Sequence, residues 1–104
     1  MNRVVFSPKQ LSQTVDREFD FSSLLAEGET LSYATIDVET HAGTDSNPEA
    51  ILSGGVELDS PRVRQALAGG TLGAVYTLTC VIGTCNGQVL SLAAYLAVVK
   101  DADE

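Results

Sequence analysis

The residues best suited to covalent or metal chemistry are two cysteines and one histidine, and their spacing does not combine them. Cys80 and Cys85 stand at an odd spacing, which places them on opposite faces of one regular strand, so a disulfide between them would require a break in that strand. Cys80 shares its face with apolar neighbours and is predicted to be a small buried residue, whereas Cys85 is predicted to be an exposed free thiol in a turn. His41 is the only histidine and no CxxC pair accompanies it, so the sequence predicts no metal site.

The carboxylates and glycines also lack the patterns that catalysis or phosphate binding requires. Asp37 and Glu39 alternate with apolar residues, so they are expected on the solvent face of a strand, without a third catalytic partner. The segment Asp45–Asn47 resembles part of a calcium loop, but the glycine and the distant glutamate of such a loop are missing. The Gly-rich stretch Ala68–Gly73 lacks the Lys-Ser/Thr ending of a phosphate loop, and no Gly-x-Ser-x-Gly motif is present. We therefore predict a protein that is not an enzyme and uses no cofactor.

Composition limits the classes of partner. The chain of 104 residues carries 14 acidic against 6 basic residues, a formal net charge of −8. This charge argues against binding to nucleic acid, which needs a basic surface, and against binding to anionic lipid. No stretch approaches the ~20 apolar residues that cross a bilayer, and the N-terminal apolar run is too short for a signal peptide. We expect a soluble single domain made in a cytoplasm, with proteins as partners and no contact with nucleic acid or membrane.

Short runs of alternating apolar and polar residues predict a fold made of strands. Strands are expected at residues 15–21, 31–41, 49–53, 56–58 and 62–67, and in two runs on either side of Asn86-Gly87. Residues 61–68 also fit a helix that begins at Pro61, although a strand is preferred. The strand spacing is typical of a sandwich or a small barrel. The length and the Gly73–Tyr76 entry into the penultimate strand favour an all-β, immunoglobulin-like antiparallel β-sandwich of about seven short strands.

The last two strands are joined by Asn86-Gly87, the strongest short-range sequence signal for a β-hairpin. The apolar positions of both strands are even-numbered, and a two-residue turn would set even positions opposite odd ones. A three-residue loop that begins at Cys85 sets even positions opposite even ones, and it needs a left-handed glycine at its last position, Gly87. We therefore predict a bulged three-residue hairpin in which Leu78 lies opposite Ala94.

The two ends of the chain show no sustained periodicity. Residues 1–12 are predicted to form an extended N-terminal arm that becomes ordered against a partner surface, residues 13–100 the β-sandwich, and residues 101–104 a frayed acidic tail. The predicted protein-interaction residues are the apolar residues of this arm, Val4, Val5, Phe6 and Pro8. Loop tips, including the hairpin turn at Asn86 and Gly87, are the other place where such a contact can lie.

Nearly the whole chain, from Phe6 to Val99, consists of turn-and-strand strings without a catalytic signature. The strings are Phe6-Ser-Pro-Lys9, residues 15–30, Gly43–Pro48, Ala50–Gly54, Gly73-x-x-Tyr76, Gly87-Gln88 and Tyr95–Val98. Together they resemble a family of small proteins encoded by tailed bacteriophages and prophages, often labelled fibre–tail adaptor proteins. The chain departs from the family pattern at Cys80, Cys85 and Asn86, where Thr, Ser or other small residues are more usual.

The resemblance implies a structural protein of the virion. A member of this family is expected to be an immunoglobulin-like module, present in several copies, that attaches a tail fibre or spike to the tail or neck. It would be made in the host cytoplasm, and its partners would be the fibre and the tail, nozzle or neck protein. The alternative is a capsid decoration (cement) protein, which would bind the major capsid protein. Assembly by strand addition or by docking of the arm fits a module of this kind.

Overall fold

The computed structural model describes residues 3–100, without the side chains of Arg3 and Val4, and these residues fold into strands joined by short loops. The strands are β1 (Arg3–Val5), β2 (Lys9–Gln10), β3 (Thr14–Asp20), β4 (Leu31–Ala42), β5 (Leu52–Asp59), β6 (Arg62–Ala68), β7 (Val75–Thr84) and β8 (Val89–Val99), and a 3₁₀ helix spans Pro48–Ile51. The predicted acidic tail, residues 101–104, lies outside the described residues. Within residues 3–100, no helix has the length and apolar character needed to cross a membrane.

Two sheets stacked face to face make a β-sandwich. One sheet has the strand order β1-β8-β7-β4, with β2 also paired to β8, and the other has the order β3-β6-β5. The strand pairs are antiparallel except those of β1 and β2, which run parallel to β8. In the lettering of immunoglobulin folds, these sheets correspond to strands C-F-G and B-E-D. The prediction of an all-β, immunoglobulin-like sandwich is confirmed.

The core lies between the two sheets and is made by alternate residues of the strands. Residues paired across a sheet share a face, so the even positions of β7 and of β8 point inward together. The buried apolar side chains of the strands are Phe19, Val38, Val63, Leu67, Tyr76, Leu78, Cys80, Ile82, Ala94, Leu96 and Val98. Cys80 is a free and fully buried thiol, as predicted.

The β7–β8 hairpin has the predicted register. Leu78 is paired with Ala94, and the ladder continues to Gly83 and Val89. The N–H of Thr84 donates to the carbonyl oxygen of Gln88 at 2.9 Å, which leaves a loop of Cys85, Asn86 and Gly87. Gly87 has a φ of +83°, the left-handed conformation that this loop type requires of its last residue. The parity of the apolar residues was therefore sufficient to determine the loop length.

The segment between β4 and β6 departs in part from the prediction. The predicted strand at residues 49–53 begins instead with the 3₁₀ helix Pro48–Ile51, and β5 follows it directly. Proline lacks an N–H and has a fixed φ, both of which suit the first residue of a helical turn. Gly54 and Gly55, which separate the predicted strands at residues 49–53 and 56–58, lie within β5, where the register against β6 shifts. Arg62–Ala68 forms a strand rather than a helix, and it is the central strand of its sheet.

The described N-terminal residues belong to the first sheet and do not form a free arm. β1 pairs with Ala93–Tyr95, and the N–H of Phe6 donates to the carbonyl oxygen of Tyr95 at 2.9 Å. The Phe6 ring is 8% exposed and packs edge-on against Phe19, with ring centroids 5.2 Å apart. The expectation of an arm ordered by a partner is corrected here, because β8 of the same chain provides the surface. Strands of 3 and 2 residues are too short to show alternation in the sequence.

Candidate functional site

Residues 5–8 form an exposed ridge along the edge of the first sheet. Val5 is 74% exposed and Pro8 is also exposed, whereas Phe6 points into the core. Successive residues of an extended segment point to opposite sides, so Phe6 anchors the segment while Val5 faces solvent. The side chain of Val4 lies outside the described part of the chain. Among the predicted contact residues, Val5 and Pro8 are thus accessible to a partner, and Phe6 is a core residue instead.

A groove of about 420 Å³ separates this ridge from β3 on the neighbouring sheet. The residues along its two sides are Val5–Ser7 and Asp16–Glu18. Arg17 crosses the groove, since its two terminal nitrogens donate to the carbonyl oxygens of Asp16 and Ser7, each at 3.1 Å. The Nε of Arg17 is buried and has no hydrogen-bond partner among residues 3–100. Arg17, which interrupts the apolar face of its strand in the sequence, therefore links β3 to the N-terminal segment.

The outer face of the β3-β6-β5 sheet is acidic. Arg64, on the central strand, forms ion pairs with Glu18 at 3.1 Å, Glu57 at 3.1 Å and Asp59 at 3.5 Å. Hydrogen bonds to Glu18 and then to Glu57 raise the pKa of Arg64 above its ordinary value. The outward residues of this sheet include five carboxylates against the two guanidinium groups of Arg62 and Arg64, so the face keeps a negative charge. Such a face is suited to a basic protein surface.

Tyr76 connects two loops at one end of the sandwich. Its hydroxyl donates to Asp45 Oδ2 at 2.6 Å and accepts from the backbone N–H of Thr71 at 2.8 Å. The hydrogen bond from Tyr76 is the main cause that lowers the pKa of Asp45, and burial raises the pKa of Tyr76. A tyrosine near the start of the penultimate strand, bonded to backbone upstream, is the tyrosine corner of immunoglobulin folds. The carboxylate that resembled a calcium ligand in the sequence is thus engaged by the protein itself.

A buried glutamate holds the hairpin loop at the other end, and the sequence analysis did not identify it. Glu29 is 6% exposed. Its Oε1 accepts from the backbone N–H of Ala26 at 2.9 Å, and its Oε2 accepts from the Thr84 hydroxyl at 2.7 Å. The hydrogen bond from Ala26 is the main cause that lowers the pKa of Glu29, and the hydrogen bond from Thr84 lowers it further. Because Glu29 stands in a turn-rich polar segment, nothing in the local pattern indicates that it is buried.

The hairpin loop is also bonded to residue 30 by its backbone. The N–H of Cys85 donates to the carbonyl oxygen of Thr30 at 2.9 Å, and the N–H of Thr30 donates to Cys85 Sγ at 3.3 Å. The predicted turn residues Asn86 and Gly87 therefore lie in a loop whose base is fixed to a neighbouring loop. They are surface residues at a position that the sandwich defines well.

The two thiols are expected to differ strongly in reactivity. The hydrogen bond from the Thr30 N–H lowers the pKa of the exposed Cys85 thiol, while burial raises the pKa of Cys80 to about 12. Since the thiolate is the reactive species, Ellman's reagent should modify Cys85 of the native protein rapidly and Cys80 at least ~100-fold more slowly. Cys85→Ser should abolish the fast phase, and denaturant should expose Cys80. A fast phase that persists in Cys85→Ser would contradict this assignment.

The predicted contact places are separate in the structure. The ridge runs beside the Ala93–Val99 part of β8, whereas Asn86 and Gly87 lie beyond the other end of that strand. The described residues extend over 47 × 22 × 22 Å, so the protein is elongated along its strands. It therefore presents several distinct surfaces rather than one pocket.

The side chains considered for catalysis lie on the outer face of the first sheet. Asp37 and Glu39 are on the outer face of β4, and the His41 ring packs in a tilted arrangement against Tyr95, with ring centroids 4.7 Å apart. Within the part of the chain that the structure describes, no group of three His, Cys, Asp or Glu side chains is placed to hold a metal ion.

Comparison with known families gives one match over most of the chain. Residues 9–97 match the family model described as podophage GP4 fiber-tail adaptor protein gp77. The matched region runs from β2 into β8 and so includes both sheets. It begins after Val5 and Pro8, so the exposed ridge lies outside it. No curated protein matches the chain.

Proposed function

The chain belongs to the podophage fiber-tail adaptor family matched by residues 9–97, and from this membership we propose that it attaches a tail fibre or spike to the tail or neck of the virion. Membership makes the protein a structural adaptor of the phage tail that contacts other virion proteins. The attachment of a fibre is the finer step proposed here. The family match carries this proposal, because it includes strands of both sheets and covers most of the domain rather than a single motif.

The elongated shape supports a bridging role. An adaptor must bind two partners at once, and it does so most simply through surfaces that do not overlap. The ridge at Val5 and Pro8 and the hairpin turn at Asn86 and Gly87 lie towards opposite ends of β8. We assign the tail, nozzle or neck protein to the ridge and the fibre to the hairpin turn. Several copies of the adaptor would be present in each particle, and they would be made in the host cytoplasm.

The ridge is proposed as the contact with the tail or neck. In the particle, residues 1–12 would be the contact segment and residues 13–100 the body that carries it. Val5 and Pro8, together with Val4, would contact the partner, while Phe6 holds the segment on the sandwich. The adjacent groove beside Asp16–Glu18 supports this assignment, because an apolar side chain of the partner can enter it next to an acidic strand.

Labelled antibodies against the purified protein, applied to intact virions and imaged by electron microscopy, test the location. Label at the tail or neck would support the adaptor role. Label over the whole head would show the alternative, a capsid decoration (cement) protein bound to the major capsid protein, and would overturn the fibre attachment proposed here. Virions stripped of their fibres provide the second arm, because they should keep a tail-bound adaptor.

Val5→Asp is expected to reduce the amount of this protein in particles by at least ~10-fold, because a carboxylate at an apolar contact is costly to desolvate. The variant should keep the wild-type melting temperature, since Val5 is 74% exposed in the free protein. Leu24→Asp is the control, because Leu24 is 44% exposed in a loop far along the chain from the ridge. Equal incorporation of both variants would contradict a contact at Val5. Incorporation is measured by immunoblot of purified virions.

A further inference from the structure

The outer face of β7 and β8 contains no charged residue. Val75–Thr84 and Val89–Val99 include no Asp, Glu, Lys or Arg at any position. Their outward side chains are half-buried or exposed and form what we call the neutral face, namely Thr77, Thr79, Val81, Ser91, Ala93, Tyr95 and Ala97. Two adjacent strands thus present only small, apolar or hydroxyl-bearing groups to solvent.

The other outer face of the sandwich is built differently. On the β3-β6-β5 sheet the outward residues include the charged side chains Asp16, Glu18, Asp20, Glu57, Asp59, Arg62 and Arg64. Solvent-facing sheet surfaces normally carry such charges, which keep proteins soluble and prevent association. The chain has 14 acidic residues, so the absence of any of them from the neutral face needs an explanation. A surface that is covered in the working state of the protein explains it.

The net charge of the chain indicates which molecule would cover the neutral face. With a net charge of −8, two copies of this chain repel each other wherever their acidic surfaces meet. The neutral face is where a second copy can approach without bringing carboxylates together at the centre of the contact. A basic partner protein would instead be attracted to the acidic face around Arg64. The neutral face is therefore better suited to a second copy than to a partner of opposite charge.

The margins of the face specify an orientation. Pairing across the sheet places Ala93, Thr79 and Asp37 in one row, so an acidic residue stands at the β4 edge. Glu39 adds a second acid to this edge. A two-fold axis that runs along the strands sets the β4 edge of each copy over the β8 edge of the other, so the carboxylates of the two copies stay apart. An axis across the strands would set the two acidic edges together.

We propose that the neutral face packs against the same face of a second copy, around a two-fold axis parallel to the strands. The neutral face and the adjoining outer face of β4 together cover roughly 500–600 Å² by the usual strand dimensions. The dimer would thus bury just over about 1,000 Å² in total, which is at the low end for a specific interface. The dimer should accordingly be weak and depend on protein concentration. This inference does not rest on the proposed fibre attachment, because it concerns the purified chain alone.

Sedimentation velocity of the purified protein over a range of concentrations tests the proposal. The wild-type chain should shift from monomer to dimer as its concentration rises. Ala93→Glu, at the centre of the neutral face, should sediment as a monomer throughout, because two carboxylates would be buried close to the axis. Ala66→Glu is the matched control, since Ala66 is also a half-buried, outward-facing alanine on a central strand, but on the acidic sheet. It should dimerise like the wild type.

Two results would overturn the proposal. The first is a wild-type chain that remains monomeric at every concentration; if Ala93→Glu then prevents incorporation into virions, the face binds a different virion protein. The second is equal dimerisation of the two glutamate variants, which would place the contact elsewhere. Thermal unfolding of each variant, followed by circular dichroism, verifies that Ala93→Glu is folded, and Ala93→Gln gives a neutral replacement of similar size that should retain the dimer.

Discussion

Replacing Phe6 by alanine should lower the free energy of unfolding by about 3–5 kcal/mol, the usual cost of truncating a buried phenylalanine. The Phe6 ring is 8% exposed and packs edge-on against Phe19, so the substitution removes an aromatic contact and leaves a cavity beneath the N-terminal segment. A domain of this size has a total stability of about 5–15 kcal/mol. The variant should therefore unfold at a clearly lower urea concentration than the wild type, whereas a free arm would tolerate the same change without effect.

Urea denaturation followed by circular dichroism measures this loss. Val5→Ala is the matched control, because Val5 is the neighbouring residue of the same segment and is 74% exposed. Its effect should stay within about 0.5 kcal/mol. If Phe6→Ala unfolds at the urea concentration of the wild type, the N-terminal segment is not part of the folded domain, and the pairing of β1 with β8 does not contribute to its stability.

Tyr76→Phe should lower the free energy of unfolding by about 1–3 kcal/mol without changing the packing of the ring. The substitution removes only the hydroxyl, which leaves the N–H of Thr71 without its acceptor and Asp45 without its strongest donor. Tyr33→Phe is the control, because Tyr33 is 48% exposed and its loss of a hydroxyl should cost less than about 0.5 kcal/mol. Equal effects of the two substitutions on the urea midpoint would argue against a structural role for the tyrosine corner at Tyr76.

Acid should reduce the difference between Tyr76→Phe and the wild type. The pKa of Asp45 is lowered in the folded protein, mainly by the hydrogen bond from Tyr76. A carboxyl group of this kind stabilises the fold above its unfolded pKa, and the contribution is lost as the pH falls below about 4. The wild type should therefore lose more stability than the variant between neutral pH and about pH 3. If the difference in stability between the two proteins stays constant over this range, the ionised state of Asp45 is unimportant to its hydrogen bond with Tyr76.

The β7–β8 hairpin shows how far a local pattern can determine structure. The strands, their inward faces and the loop of Cys85, Asn86 and Gly87 all followed from parity and from one left-handed glycine, because a register error would have exposed every apolar side chain. A strand was likewise preferred over a helix at residues 62–67, because of their alternation. These elements are long enough for the period of two to appear in the sequence.

The features that the sequence did not reveal depend on contacts between distant residues. The pairing of β1 with Ala93–Tyr95 joins the two ends of the described chain, and no short segment carries a sign of it. Glu29 is buried where the hydroxyl of Thr84, a residue distant in the sequence, donates to its carboxylate. The acidic face around Arg64 arises in the same way, since it combines residues from separate strands. Predicting such sites requires the register of the whole sandwich.

The parallel pairing of β1 with β8 also determines when the N-terminal segment can fold during translation. The N-terminal segment is synthesised early, but the strand to which it binds is made late, so Phe6 cannot find its place until β8 has left the exit tunnel. Contacts between distant parts of a chain form slowly, and apolar segments exposed in the meantime invite aggregation. A nascent chain that stalls before β8 lacks the strand with which β1 pairs, so Phe6 has no place to dock. Truncated chains should therefore expose an apolar side chain that finished chains bury.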